Sequence, residues 1–150
     1  MNKTPGCIHK PKLCLLLVLA LHGLPRNSTA QVPSSARSQK AVNAQKPKLQ
    51  AQFGAAGLRW GAPVFIRIIK DEHLLELFVQ QADSFTLFAT FRICTYSGGL
   101  APKKQQGDGK SPEGFYFVTP KRMNPASSFH LSFNLGYPNA YDRAHGYTGS

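Results

Sequence analysis

Cys94 and His130 are the one conceivable cysteine–histidine couple in the strand-forming part of this sequence. A cysteine attacks as its thiolate, so it needs a nearby histidine, cation or helix N-terminus to lower its pKa, together with partial exposure. Cys94 closes the apolar run Phe85 to Cys94, next to Arg92 and ahead of a glycine turn. A small apolar residue at a strand end accounts for it without catalysis. His130 falls in the alternating run Phe129 to Leu135, where packing or a surface position explains it better than ligation. Of the five histidines, His9 and His22 precede residue 31 and His73 sits in an acidic turn. None stands at metal-ligand spacing with a carboxylate or thiolate partner, so no metal site and no cofactor is expected. Lys103 to Ser111 holds Gly107, Gly109, Lys110 and Ser111, a partial likeness to a phosphate-binding loop. The GxxxxGK[ST] pattern needs glycine where Lys104 stands, and an extended segment rather than a helix follows. The segment reads as a flexible turn.

The elements that position these residues begin at Pro63. Pro63 to Lys70 (PVFIRIIK) is β-branched and apolar, and Leu74 to Gln80 and Phe85 to Cys94 read as a second and a third strand, separated by turns at Asp71-Glu72-His73 and Ala82-Asp83-Ser84. Three strands at this spacing predict an antiparallel meander. A polar, glycine-rich loop runs from Thr95 to Glu113. Gly114 to Pro120 and Phe129 to Leu135 are expected as a fourth and a fifth strand, and Gly136 to Ser150 as loop. Upstream, Lys48 to Leu58 has Leu49, Phe53 and Ala56 on one helical face, with Pro47 near its start. Gln31 to Lys48, rich in Ser, Gln, Ala and Lys, reads as a solvated linker.

The N-terminus has the pattern of an export signal. Lys3, Lys10 and Lys12 precede the unbroken apolar run Leu13 to Leu21, then Gly23, Pro25 and the small residues Ser28-Thr29-Ala30. The apolar run is far short of the roughly 20 residues that span a bilayer. Cleavage after Ala30 is expected, the alternative being an uncleaved anchor. The organisation read from the sequence is therefore a signal peptide at 1–30, a basic linker at 31–62 and a folded region at 63–150, exported to the periplasm.

The net charge of +11 divides unevenly. Between Gln31 and Trp60 lie Arg37, Lys40, Lys46, Lys48 and Arg59 with no acid, whereas Gly61 to Ser150 is close to balance. The basic character belongs to the linker, which suits anionic lipid heads or acidic wall polymers. Nucleic-acid binding is disfavoured, because no recognition motif is visible. Cys7 and Cys14 would leave with the signal, and Cys94 alone makes no disulfide framework.

Ser111-Pro112-Glu113-Gly114-Phe115-Tyr116 and the run FHLSFNLGYPNAYDRAHGYTG carry a resemblance. With PVFIRIIK opening the region, residues 63–150 resemble the L,D-transpeptidase (YkuD-type) catalytic domain, in the branch of the periplasmic murein transpeptidases. The resemblance implies a β-rich fold and cysteine acyl transfer on peptidoglycan stem peptides, followed by transpeptidation or hydrolysis. It implies a catalytic His-Gly and Ser-x-Gly-Cys segment C-terminal to the tyrosine–aspartate run. His145-Gly146 and Gly149-Ser150 are similar only superficially, since no cysteine follows. Only Pro112, Gly114, Tyr116 and the Tyr137 to Arg143 run match by position, so no catalytic residue is assigned.

The fold class expected is thus mainly β, an incomplete L,D-transpeptidase-like domain, inactive as a chain to Ser150 and, with open sheet edges, unstable. Two other readings stand beside it. One is a non-catalytic periplasmic protein that binds wall or membrane through its basic linker. The other is a cysteine enzyme using Cys94.

Overall fold

A computed structural model describes residues 31–149. The signal-peptide reading of residues 1–30 lies outside the described residues. The meander forms as expected: β1 (Val64–Ile69), β2 (Leu74–Gln81) and β3 (Ser84–Arg92) pair antiparallel in the order β1-β2-β3. Val64 opposes Val79 and Ile68 opposes Leu75, which in turn opposes Phe91. The register slips between Leu77 and Phe78, where Ala89 and Leu87 are the successive partners, so Phe88 is left without one. A bulge of this kind re-aims a side chain, and the ring of Phe88 meets that of Phe53 at 4.5 Å.

Phe53 belongs to α1 (Ala36–Ala55), which starts twelve residues earlier than the sequence suggested. Residues 36–48 are therefore helix, not solvated linker. Ser35 and Ser38 cap each other reciprocally, Ser35 Oγ accepting from Ser38 N at 3.2 Å and Ser38 Oγ from Ser35 N at 2.8 Å. Behind that cap the Ala, Gln, Lys and Arg content favours helix. Pro47 lies inside it, where proline withholds one backbone rung. Only the end of the helix is buried: Phe53 with Leu58, Ala62 and Val79 makes the core cluster. Trp60 stands edge-on to Phe53 at 5.2 Å. The rest of that sheet face is thinly covered, Ile68 being 54% and Phe91 52% exposed.

Beyond the meander the sequence reading needs correcting. Gly114 to Pro120 is not a strand: Gly114 bends, residues 115–119 pair with no neighbouring strand, and Pro120 already opens a short 3-10 turn, Pro120–Arg122. The fifth strand shrinks to β5 (Ser132–Phe133), paired with β4 (Met123–Asn124). His130 is not in a strand but in the preceding turn, at φ +73°. The tail is not all loop, since α2 (Ala140–Ala144) forms behind an Asn139 cap. The β-rich expectation holds in the antiparallel sheets, with helix on both flanks. At its start α1 also reaches the distal loops, as Ser35 Oγ donates to the Pro125 carbonyl at 2.8 Å and Arg37 to the His130 carbonyl at 2.9 Å.

Candidate functional site

The phosphate-loop likeness is settled by where its N–H groups point. Asp108 sits inside the loop and accepts from the backbone of Lys104 (2.7 Å), Lys110 (3.0 Å) and Gln105 (3.1 Å), and from Lys103 Nζ (3.3 Å). These donors, the Lys104 N–H foremost, hold the Asp108 carboxyl well below the usual carboxylate range. Gly107 and Gly109, both at positive φ, let the chain wind around the carboxylate. Three of the loop's N–H groups, those of Lys104, Gln105 and Lys110, already point at Asp108, so the segment is a carboxylate-stapled turn.

That turn leads into the Ser111–Tyr116 element. Lys70, just past the end of β1, fastens it, donating to Glu113 Oε1 at 2.7 Å and to the Ser111 carbonyl at 3.1 Å. Gly114 at φ +129° then adopts a conformation that a side chain would resist. Tyr116 is carried inward, and its hydroxyl donates to Asp142 (3.1 and 3.3 Å to the two oxygens). Burial first, and then that bond to a carboxylate, push the Tyr116 phenol above the ordinary tyrosine value.

Asp142 is 1% exposed. It also accepts from the Asn139 N–H at 2.8 Å, while Asn139 Oδ1 accepts from the Asp142 N–H at 3.0 Å. Asn139 Nδ2 returns to the Phe115 carbonyl at 3.0 Å. The two segments that carried the resemblance are thus bonded to each other across 26 residues. Tyr137 Oη donates to the Lys103 carbonyl at 3.2 Å, and Thr148 N to the Lys104 carbonyl at 2.9 Å, so the stapled turn joins the same assembly.

Between these segments opens a cleft of about 510 Å³, with Phe115, Phe117, Arg122, Pro138, Tyr141 and Arg143 among its lining residues. Arg122 crosses Gly136 and donates through Nη1 to the carbonyls of Phe117 (3.0 Å) and Leu135 (2.6 Å). A Cβ at position 136 would lie 1.7 Å from that nitrogen, so only glycine leaves room for the guanidinium. Sequence reasoning did not single out Arg122, and nothing in its local pattern marks it. Asn139-x-x-Asp142 does carry a signal that was passed over, being a cap residue followed three positions later by a carboxylate.

The sequence-level chemistry at Cys94 and His130 is not assembled. Cys94 is exposed beyond β3, while His130 is exposed in its turn with its carbonyl engaged by Arg37. The histidine beside the Cys94 backbone is His73, whose Nδ1 lies 3.3 Å from the Ile93 carbonyl and whose ring faces Tyr96. His145 stacks against Tyr141 with centroids 4.0 Å apart. Among the described residues no three His, Cys, Asp or Glu side chains gather as a metal-binding group.

Over 136 residues, 90% of its length, the chain is 42% identical to "Putative L,D-transpeptidase YafK" of Escherichia coli (strain K12). The identity and coverage are the same for the protein of that name in Escherichia coli O157:H7. The alignment takes in 51% of each, so the chain spans about half the length of the curated relatives it matches. No protein-family model matches the chain.

Proposed function

Because this chain belongs to the L,D-transpeptidase family, we propose that it presents the scaffold side of a peptidoglycan-directed acyl-transfer domain in the cell envelope. The observation that carries this reading is the 42% identity over 90% of the chain. That length necessarily takes in the Ser111–Tyr116 segment, which Asp142 ties to the Tyr137–Arg143 run. The ligands on this reading are stem peptides of the wall.

The described residues hold no activated nucleophile. Cys94 is exposed and lies apart from the Tyr116–Asp142 assembly and its cleft. Acyl transfer needs a thiolate, a base and oxyanion donors held together, and among the described residues Cys94 has no such set around it. On this reading residues 31–149 carry out no acyl transfer by themselves. Incubation with a stem tetrapeptide should leave its intact mass unchanged, and thiol-reactive labelling at Cys94 should follow exposure alone. An acyl adduct mapped to Cys94, abolished by Cys94→Ala, would instead establish the cysteine-enzyme reading.

A second reading is favoured by α1 and its flanks. Arg37, Lys40, Lys46, Lys48 and Arg59 face no acid between residues 31 and 60, and most of the helix is solvent-exposed. This segment holds the chain to acidic wall polymer or anionic lipid by charge. Binding to purified wall sacculi should weaken severalfold between roughly 50 and 300 mM salt, because screening shortens the reach of exposed charges. Changing Lys40, Lys46 and Lys48 to Gln should abolish most of it, whereas salt-independent binding would refute the charge mechanism. Among the described residues no helix is long and apolar enough to cross a membrane. Residues 1–30 act on this reading as a cleaved export signal, which N-terminal sequencing of the envelope fraction tests.

A further inference from the structure

We infer that the cleft between the Phe115–Phe117 segment and α2 is a carboxylate-recognition site. It takes the free C-terminal carboxylate of a short peptide on Arg143 and Arg122, with the peptide's apolar flank against Phe115 and Phe117. The choice of a peptide rests on the proposed function, while the demand for a carboxylate comes from the cleft itself.

Both arginines line the same cleft. Ion pairs in the described residues join Arg67 to Glu76, Lys70 to Glu113 and Lys103 to Asp108, and neither Arg122 nor Arg143 takes part in one. The nearest acid in sequence, Asp142, is buried and turned to Tyr116 and Asn139. Two like charges sharing a concave surface without a counter-charge concentrate positive potential there and favour an anion.

The guanidiniums are also held in place before any ligand arrives. Arg122 spends Nη1 on two carbonyls, and Arg143 spends Nη1 on the Pro138 carbonyl. Each keeps Nη2 and Nε, the pair of donors that matches the two oxygens of a carboxylate. Gly136 is part of the construction, because any side chain there would expel Arg122 from its place. The apolar half of the site is unusually bare. Phe115 is 88%, Phe117 81% and Tyr141 62% exposed, so three aromatics around one cleft offer apolar surface to a ligand.

The test is fluorescence polarisation on the full 150-residue chain. The probe is a labelled stem tetrapeptide with a free C-terminal carboxylate, compared with the same peptide as its C-terminal amide. The free acid is expected to bind about tenfold more tightly than the amide, as suits loss of a charge-assisted bidentate contact. Arg143→Gln should remove that preference and Arg143→Lys should restore part of it. Tryptophan fluorescence of Trp60 serves as the check that the variants are folded. Equal binding of acid and amide, or an unchanged preference in a folded Arg143→Gln chain, overturns the inference and leaves the peptide-binding reading intact. Binding of neither peptide overturns both. Competition by millimolar inorganic phosphate as effective as that by unlabelled peptide would show a general anion site and overturn the peptide assignment.

Discussion

Phe53→Ala is expected to destabilise the chain by about 3 kcal/mol, the lower end for removing a buried phenylalanine, and to release α1 from the sheet. Phe53 is the point at which the helix is buried: it is 8% exposed, and its ring meets Phe88 on one side and Trp60 on another. Leu58, Ala62 and Val79 complete the cluster, so no second layer of core residues is available to close the hole. The surrounding sheet face is open, and water can fill part of the space, which argues for the lower end of the range. Urea unfolding followed by far-ultraviolet circular dichroism should show helix signal lost ahead of strand signal. A change below about 1 kcal/mol would place Phe53 among surface substitutions, and the helix would then not be docked as described. Wall binding through the lysines of α1 should survive this substitution, because it depends on charge rather than on docking.

Where the fold was legible, periodicity and breakers agreed. The three meander strands follow from apolar runs separated by two acid-containing turns, and the structure places each within about two residues of its expected ends. The bulge at Leu77/Phe78 was not legible, since it depends on Phe88 being pulled toward Phe53, a residue 35 positions away in the chain. The early start of α1 was readable in principle. Polar, lysine-rich composition marks both linkers and exposed helices, and the Ser35-x-x-Ser38 cap is what separates the two. Gly114 to Pro120 failed for the opposite reason. Its residues have strand character, but a strand exists only with a partner, and no pattern within seven residues can report whether a partner is present.

The site was legible as two segments and not as one assembly. Tyr116 and the Tyr137–Arg143 run were both singled out, yet neither pattern says that a tyrosine hydroxyl and a buried aspartate will meet. Arg122 was invisible because its place is defined by what Gly136 lacks. His130 and Cys94 were singled out for their chemistry, but the turn at His130 and the exposure of Cys94 leave that chemistry unassembled. Residue type proposes a reaction, and only backbone path decides whether the reactants share a site.

Asp142→Ala should cost about 3 kcal/mol, because it removes the buried charged acceptor that Tyr116 and Asn139 share. The Asn139 N–H loses its partner, Tyr116 Oη keeps only the Glu113 carbonyl at 3.3 Å, and α2 loses half of its cap. Tyr116→Phe should cost less, about 1.5–2 kcal/mol for a single hydrogen bond to a charged group, since Asn139 still pairs with the carboxylate. If the two act through one bond, the double variant will be no worse than Asp142→Ala alone. A pH signature separates this from simple loss of packing. The Tyr116 phenol is raised in the folded chain by burial and by the Asp142 carboxylate, against an ordinary value near 10 when unfolded. Its contribution is therefore complete below about pH 10 and falls as pH rises beyond that, where the unfolded chain sheds a proton that the folded chain keeps. Wild-type stability should thus decline on the alkaline side, and Tyr116→Phe should flatten that decline while lowering stability at neutral pH. If the two alkaline slopes coincide, Tyr116 is exposed to solvent in the folded chain and the link between the two segments is not formed. The cleft that depends on that link would then lose its wall, and the preference for a peptide carboxylate should disappear with it.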